Sequence, residues 1–343
     1  MIIFWDNLSL LIIIITKGYT MQDDIQTIEL NRLKFFPIMM YAIVMGMSGL
    51  TITYQKAAEF IHFPHFLGYI LMVLVTVLFF TISAFYILKY IRYPQAVAKE
   101  FAHPIRINFF SAVSISMLML AIIYKEDFPT VSAIFWYPGT VLHLFMTLYT
   151  ISFWINHNQE VAHSNPAWFI PIVGNVLVPV AGIGFVNEHI LMYFFSVGLF
   201  FWVILFAVVL NRIIFHKQLA QKFMPTLFIF LAPPAVGFIA YYKMVGELDT
   251  FAMFLFNIAV FFTLLLAFMY KNFMKLKFFI SWWAFVFPVA AMAIASMLMY
   301  HLTQDGTLYL LSLIMIAVTT AMTGIVLMKT IQHMKKHEIC IQE

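Results

Sequence analysis

Fifteen carboxylates, eleven histidines and one cysteine are the side chains through which this chain could do acid–base, metal or nucleophilic work. Every Asp and Glu, from Asp6 to Glu343, falls outside the long apolar stretches, whose natural solvent is a bilayer. A charge at mid-membrane costs at least ~2.5–3.5 kcal/mol and is kept where function requires it, so proton relays and cation carriers hold carboxylates there. The absence of such carboxylates argues against a pump, a cation channel or a carboxylate-type intramembrane protease, and leaves anions and neutral solutes as cargo. Only His143 lies well inside an apolar stretch, and no second histidine pairs with it as haem ligands would. A lone buried histidine is more often a packed, hydrogen-bonded residue than a reactive one. Cys340, standing alone, excludes an intrachain disulfide and a multi-cysteine metal site. No Gly-x-Ser-x-Gly element, Walker-type loop or zinc-protease helix occurs. The expectation is therefore a non-enzyme with no catalytic residue, cofactor or metal.

The elements that must carry such a function are set by composition. Apolar residues make up 64% of the 343-residue chain and charged residues 10%, against about a quarter charged in soluble domains. Mean hydropathy is +0.95. Crossing ~30 Å of hydrocarbon at 1.5 Å per residue takes about 20 apolar residues, and the chain divides into ten such spans: 35–54, 67–88, 105–124, 131–154, 167–186, 190–210, 225–242, 251–269, 278–299 and 307–328. The expected fold class is an all-α polytopic membrane protein. An N-terminal cytoplasmic or interfacial extension (1–33) precedes the transmembrane domain (34–328), and a short cytoplasmic tail (329–343) follows it. The apolar run near residue 10 is too short to cross, and Met21 is an alternative start. Of 19 Lys and Arg, all but Lys56, Lys125 and Lys243 fall on one side of the spans. That asymmetry places both termini in the cytoplasm and accounts for the basic charge without any nucleic acid.

Prolines reveal a repeat. Of 13, nine lie in or at the start of odd-numbered spans, and Pro138 alone lies within an even one. Taking Pro37, Pro104, Pro171, Pro233 and Pro288, the steps are 67, 67, 62 and 55 residues, about one two-helix hairpin each. Proline removes a backbone hydrogen bond and bends a helix, which a bilayer tolerates only where protein or a water-filled cavity satisfies the freed carbonyl. Five bent odd-numbered helices therefore form an inner ring, with five straighter ones facing lipid. Gly46, Gly49, Gly174 and Gly237 remove side chains from those inner helices, as either pore lining or close packing requires. Phe36 and Phe110 are placed to narrow a lumen. Asn175 offers amide donors to an anion or to a neighbouring helix.

Several stretches carry a resemblance: "FFPIMMYAIVMGMSGL", "HPIRINFFSAVSIS", "NPAWFIPIVGN", "MPTLFIFLAPPAVGFIAY" and "SWWAFVFP". Together, over residues 35 to 328, the chain resembles the tellurite-resistance/dicarboxylate transporter family, which includes the plant slow-type anion channels. The resemblance implies five quasi-symmetric hairpins around a central pore, a homotrimer with one pore per subunit, and a phenylalanine plug on the ninth helix. The motif maps that plug onto Phe287, beside Pro288 and in preference to Phe285. Pro288 cannot donate to Ala284, so a bend is expected where the Phe287 ring projects, at a rotamer strain of about 0.5–1.5 kcal/mol. Trp282 and Trp283 are expected to pack and anchor, and Pro233 to line the pore with the glycines.

The sequence therefore reads as a Phe-gated anion channel or transporter of the inner membrane, passing small inorganic anions or dicarboxylates. Its partners are those anions and the lipid bilayer. Anions would be drawn by cytoplasmic Lys and Arg and by helix N-termini at broken segments. The alternative is a coupled exporter of a weak-acid anion such as sulfite, tellurite or a C4-dicarboxylate, in which proton coupling would rest on His143 or on the substrate's own proton. A purely structural or sensory role has no evident use for five bent helices. Without a long Ser/Thr-rich tail, kinase control of the plant kind is not implied, and a small bacterial relative fits the size.

Overall fold

The computed structural model describes residues 32–341; the N-terminal apolar run and Met21 lie outside them. Nine helices among the described residues are long and apolar enough to cross a membrane, and a tenth apolar helix is shorter. In chain order they are α1 (Ile38–Ile61), α2 (His65–Arg92), α3 (Arg106–Tyr124), α4 (Pro129–Asn156), the short α5 (Pro166–Gly182), α6 (Glu188–Phe215), α7 (Gln221–Val245), α8 (Thr250–Phe268), α9 (Ile280–Thr303) and α10 (Gly306–Lys335). The described residues contain no β-strand.

Odd and even helices start differently. Every odd one opens with 3-10 turns: Ile38–Met40 in α1, Arg106–Phe110 in α3, Pro166–Phe169 in α5, Gln221–Phe230 in α7 and Ile280–Phe285 in α9. Proline explains the form these entries take. Pro171 and Pro233 occupy the second position of α-helical segments, and Pro234 and Pro288 the third. At those positions no i−4 hydrogen bond is lost, because first-turn N–H groups lack an intrahelical partner anyway. The bend expected at Pro288 is thus a restart: a 3-10 turn hands over to an α-helix, and the proline fits its first turn. Pro138 is the interior proline of α4. Even helices need no such entry. Asn187, Asp249 and Asp305 cap α6, α8 and α10 by accepting first-turn N–H groups, while α4 begins at Pro129.

Burial separates the two sets. Between 72 and 83% of the apolar window is buried in α1, α3, α7 and α9, against 22 to 44% in the even helices. Every residue of Pro166–Gly182 is buried. The odd helices contact one another in the order α1–α3–α5–α7–α9, and α9 closes the ring on α1. Each even helix packs on the odd one before it and on the next, so five pairs repeat around one axis. The exposed faces of α2, α6 and α8 carry Phe66, Ile70, Phe200 and Phe261, the apolar surface that lipid covers.

The basic end of the bundle is fastened by a pair that hydropathy hid. Glu100 lies outside the spans, as its sequence position implies, yet it is only 4% exposed. Lys89 Nζ donates to its Oε2 at 2.5 Å and to the Phe36 carbonyl at 2.8 Å; Tyr86 Oη donates to the same Oε2 at 3.1 Å. Its Oε1 accepts the first N–H of α1, from Ile38, at 2.8 Å. A carboxylate there satisfies an orphan donor and meets the positive end of the helix dipole. His103 Nδ1 accepts the Arg106 N–H that opens α3, and Asn165 Oδ1 the Ala167 N–H in the first turn of α5. Lys89→Ala strands Glu100 buried and unpaired, which costs about 3–5 kcal/mol; the expected result is a clear drop in the melting temperature of the detergent-solubilised protein. A melting curve unchanged from wild type would show that the pair does not hold this end.

Candidate functional site

All five odd helices contribute to one cavity of about 60 Å³ on the ring axis. A water needs roughly 10–15 Å³ of such space, so the chamber has room for a few waters or one small ion. It spans the junctions between 3-10 and α-helical segments. Phe109, Phe169 and Ile229 come from the 3-10 side; Ala42, Ala112 and Ala232 from the first α-helical turns. Met45, Ile115, Leu177 and Val236 continue the wall toward the other end, with Ile170, Val173 and Gly174 from α5. The α9 share is Trp283, Ala284, Phe287 and Pro288. No lining side chain is charged, titratable or even hydroxylated.

The two phenylalanines of "AFVFP" point different ways. Phe285 is 5% exposed and packs edge-on against Phe228 and Phe273, with centroids 4.8 and 5.8 Å away. Phe287 is half-buried and lines the cavity. Gly49 makes room for it. A Cβ at that position would stand 2.9 Å from Ala290 Cβ and 3.6 Å from Phe287 Cδ2, so α1 and α9 approach this closely only through glycine. Gly46 serves the same contact one turn earlier, where an added Cβ would lie 2.6 Å from the Trp283 ring. Trp283 packs as expected, donating Nε1–H to Thr330 Oγ1 of α10 at 3.0 Å, yet it also forms part of the chamber wall.

Of the other residues singled out by sequence, Gly174 lines the cavity, whereas Phe36, Phe110, Asn175, Pro233 and Gly237 are not among its lining. Phe36 lies beside Phe85 of α2, with ring centroids 5.8 Å apart. Phe110 turns outward to Phe101 and Tyr86, at 4.8 and 6.1 Å. The Gly237 Cβ position faces Leu255 of α8. Asn175 gives its amide donors to Thr147 Oγ1 of α4 and to the Ile172 carbonyl, at 2.9 and 2.8 Å, so it ties helices together. Pro233 is buried in the first turn of the α-helical segment of α7.

His143 stands behind this wall. Its Nδ1 is 2.8 Å from Ser114 Oγ, and its Nε2 has no hydrogen-bond partner among the described residues. The ring fills the space that a side chain at residue 174 would need: an added Cβ would lie 2.2 Å from Cε1 and 2.4 Å from Nε2. Gly174 is therefore both lining and packing. Sequence reasoning missed the alanines of the wall. Small residues spaced three or four apart on the inner helices were the available signal.

The family described as voltage-dependent anion channel matches residues 35–331. The chain is similar to the S-type anion channel SLAH3 of Arabidopsis thaliana, 28% identical over 306 residues, covering 87% of this chain and 48% of that protein. It is 24% identical to the guard cell S-type anion channel SLAC1 of the same plant over 313 residues, covering 87% of this chain and 56% of the relative. An uncharacterized transporter of Methanocaldococcus jannaschii is 27% identical over 298 residues, with 79% of this chain and 87% of the relative covered. The chain thus spans about half the length of the plant channels it matches.

The close fit at residue 174 gives a direct test. Gly174→Ala is expected to destabilise the protein by about 1–3 kcal/mol through overpacking, and adding His143→Ala to it should recover part of that loss. Additive effects in the double mutant, read from thermal melts, would show that the ring and the glycine do not share one space.

Proposed function

The chain belongs to the voltage-dependent anion channel family, and on that premise we propose that it conducts small inorganic anions or dicarboxylates along the axis of its own helix ring, with Phe287 as the plug. One observation carries the reading: five inner helices converge on a single apolar chamber, and the half-buried Phe287 faces that chamber rather than lipid. An apolar wall offers no ligand that would hold a solute. It presents a desolvation barrier that an aromatic ring can complete.

Attraction comes from the end at which the inner helices start. Five helices running parallel point their N-termini the same way, each carrying roughly half a positive charge, and among the described residues every Lys and Arg but Lys56, Lys125 and Lys243 lies on that side. In this proposal that side is cytoplasmic, as the charge asymmetry supports, and the membrane is the inner (cytoplasmic) membrane. Each subunit holds a complete ring, so the homotrimer included in the proposal provides one pathway per copy. Passive conduction is favoured over coupled export because the chamber has no titratable lining; His143, the residue that could couple protons, stands behind Gly174.

Planar-bilayer recording separates the two phenylalanines. Phe287→Ala is expected to raise chloride and nitrate current several-fold over wild type, whereas Phe285→Ala lowers thermal stability and leaves conductance per inserted protein unchanged. Equal currents in wild type and Phe287→Ala, with insertion verified, would remove Phe287 as the plug.

A further inference from the structure

The three lysines that break the charge asymmetry converge at the end of the bundle opposite the basic one. Lys56 lies on α1, Lys125 directly follows α3, and Lys243 sits in the last turn of α7, which runs beyond the expected 225–242 span to Val245. Helical period shows where two of them point. Ala42 and Met45 line the chamber from α1, and Lys56, 14 residues beyond Ala42, returns to within about 40° of that line at 100° per residue. Ala232 and Val236 line it from α7, and Lys243, eleven residues beyond Ala232, returns to within about 20°. Lys125 donates to the Ile183 carbonyl beyond α5 at 2.7 Å and lies 3.4 Å from the centroid of the Phe185 ring. Lys243 interacts electrostatically with both other lysines and with Glu59 and Glu126.

Their commitments differ. Lys56 is held by Glu59 at 2.5 Å and by Glu126 at 3.9 Å, and those carboxylate side chains are 49 and 68% exposed against its own 14%, so the acids stand at the rim and the ammonium inside. Lys243 has one hydrogen bond among the described residues, to the Val180 carbonyl at 3.4 Å. That is beyond the usual 2.7–3.2 Å range. Two of the three donors on its half-buried ammonium are thus uncommitted, on the stripe that leads down to Phe287.

We propose that Lys243, flanked by Lys56 and Lys125, is a binding site for a small inorganic anion at the far mouth of the axis, where the ion is held before it meets Phe287. The proposal rests on the anion-pathway reading. It adds the one cation that the chamber wall lacks, and it makes the far mouth attractive although acidic side chains outnumber lysines on that side. A charged mouth with low-dielectric walls concentrates counter-ions and raises their entry rate by 10-fold or more, with a steep dependence on ionic strength.

The test uses Phe287→Ala as the background and chloride or nitrate as the probe. Lys243→Gln is expected to cut current carried by anions entering from the far side by about tenfold at low salt, with little loss at high salt or for entry from the basic end. Lys243→Arg retains the current, and Lys243→Glu deepens the loss. Matching conductance–concentration curves for both directions in Lys243→Gln and its parent would overturn the proposal. A second readout is independent of conduction: nitrate should raise the melting temperature of detergent-solubilised wild type, and Lys243→Gln should abolish the rise. If Phe287→Ala carries no current, the pathway reading fails, and the melting shift alone decides Lys243: its loss in Lys243→Gln upholds the site, and its absence from wild type or persistence in the variant overturns it.

Discussion

Hydrocarbon offers no hydrogen-bond partner, so each backbone N–H and C=O at membrane depth must be satisfied by protein. The rest of this architecture depends on that constraint. Helices that open in 3-10 turns and restart at prolines need neighbours, and they have them on all sides: each odd helix is enclosed by two other odd helices and two even ones. Long α-helices satisfy themselves and take the lipid face. The inner wall is the set of broken helices, and the cavity lies at the level where their geometry changes.

The entry turns also decide how the ring is anchored. A helix start in a membrane protein exposes unpaired donors, and at the basic end these are met by Glu100 for α1, His103 for α3 and Asn165 for α5. The Glu100 carboxylate is affordable in a buried place because Lys89, Tyr86 and the Ile38 amide use its oxygens fully. The connector between the first and second pairs is thus part of the wall's foundation. The same logic separates the two polar side chains that sequence highlighted near α5. Asn175 spends its donors on α4 and on its own helix, and His143 spends its volume on the gap left by Gly174.

Much of this was legible in the sequence. Proline acts through local sterics, so its spacing marked the inner helices, and apolar length marked the spans. The facing of individual residues was not legible. A 3-10 helix turns three residues per revolution and an α-helix 3.6, so each entry segment shifts the register of the residues beside it. That is why Phe109 rather than Phe110 meets the cavity, and why Gly174 reaches it while Asn175 does not. Lys243 and Glu100 escaped for another reason. A hydropathy window stops at the first charge, whereas a helix does not: α7 continues through Lys243, and the segment bearing Glu100 folds back under α1.

The closure of the ring by α9 on α1 has a consequence for how the protein is made. The two helices that share the Gly46–Trp283 and Gly49–Ala290 contacts are separated by nearly the whole membrane domain. Synthesis runs from the N-terminus at about 5–20 residues per second, so α1 waits many seconds for its partner. During that interval the glycine face of α1 has no α9 to cover it. Ring closure therefore waits for the ninth of ten helices, and a chain released before α9 emerges would be inserted in the membrane with the glycine face of α1 turned to lipid.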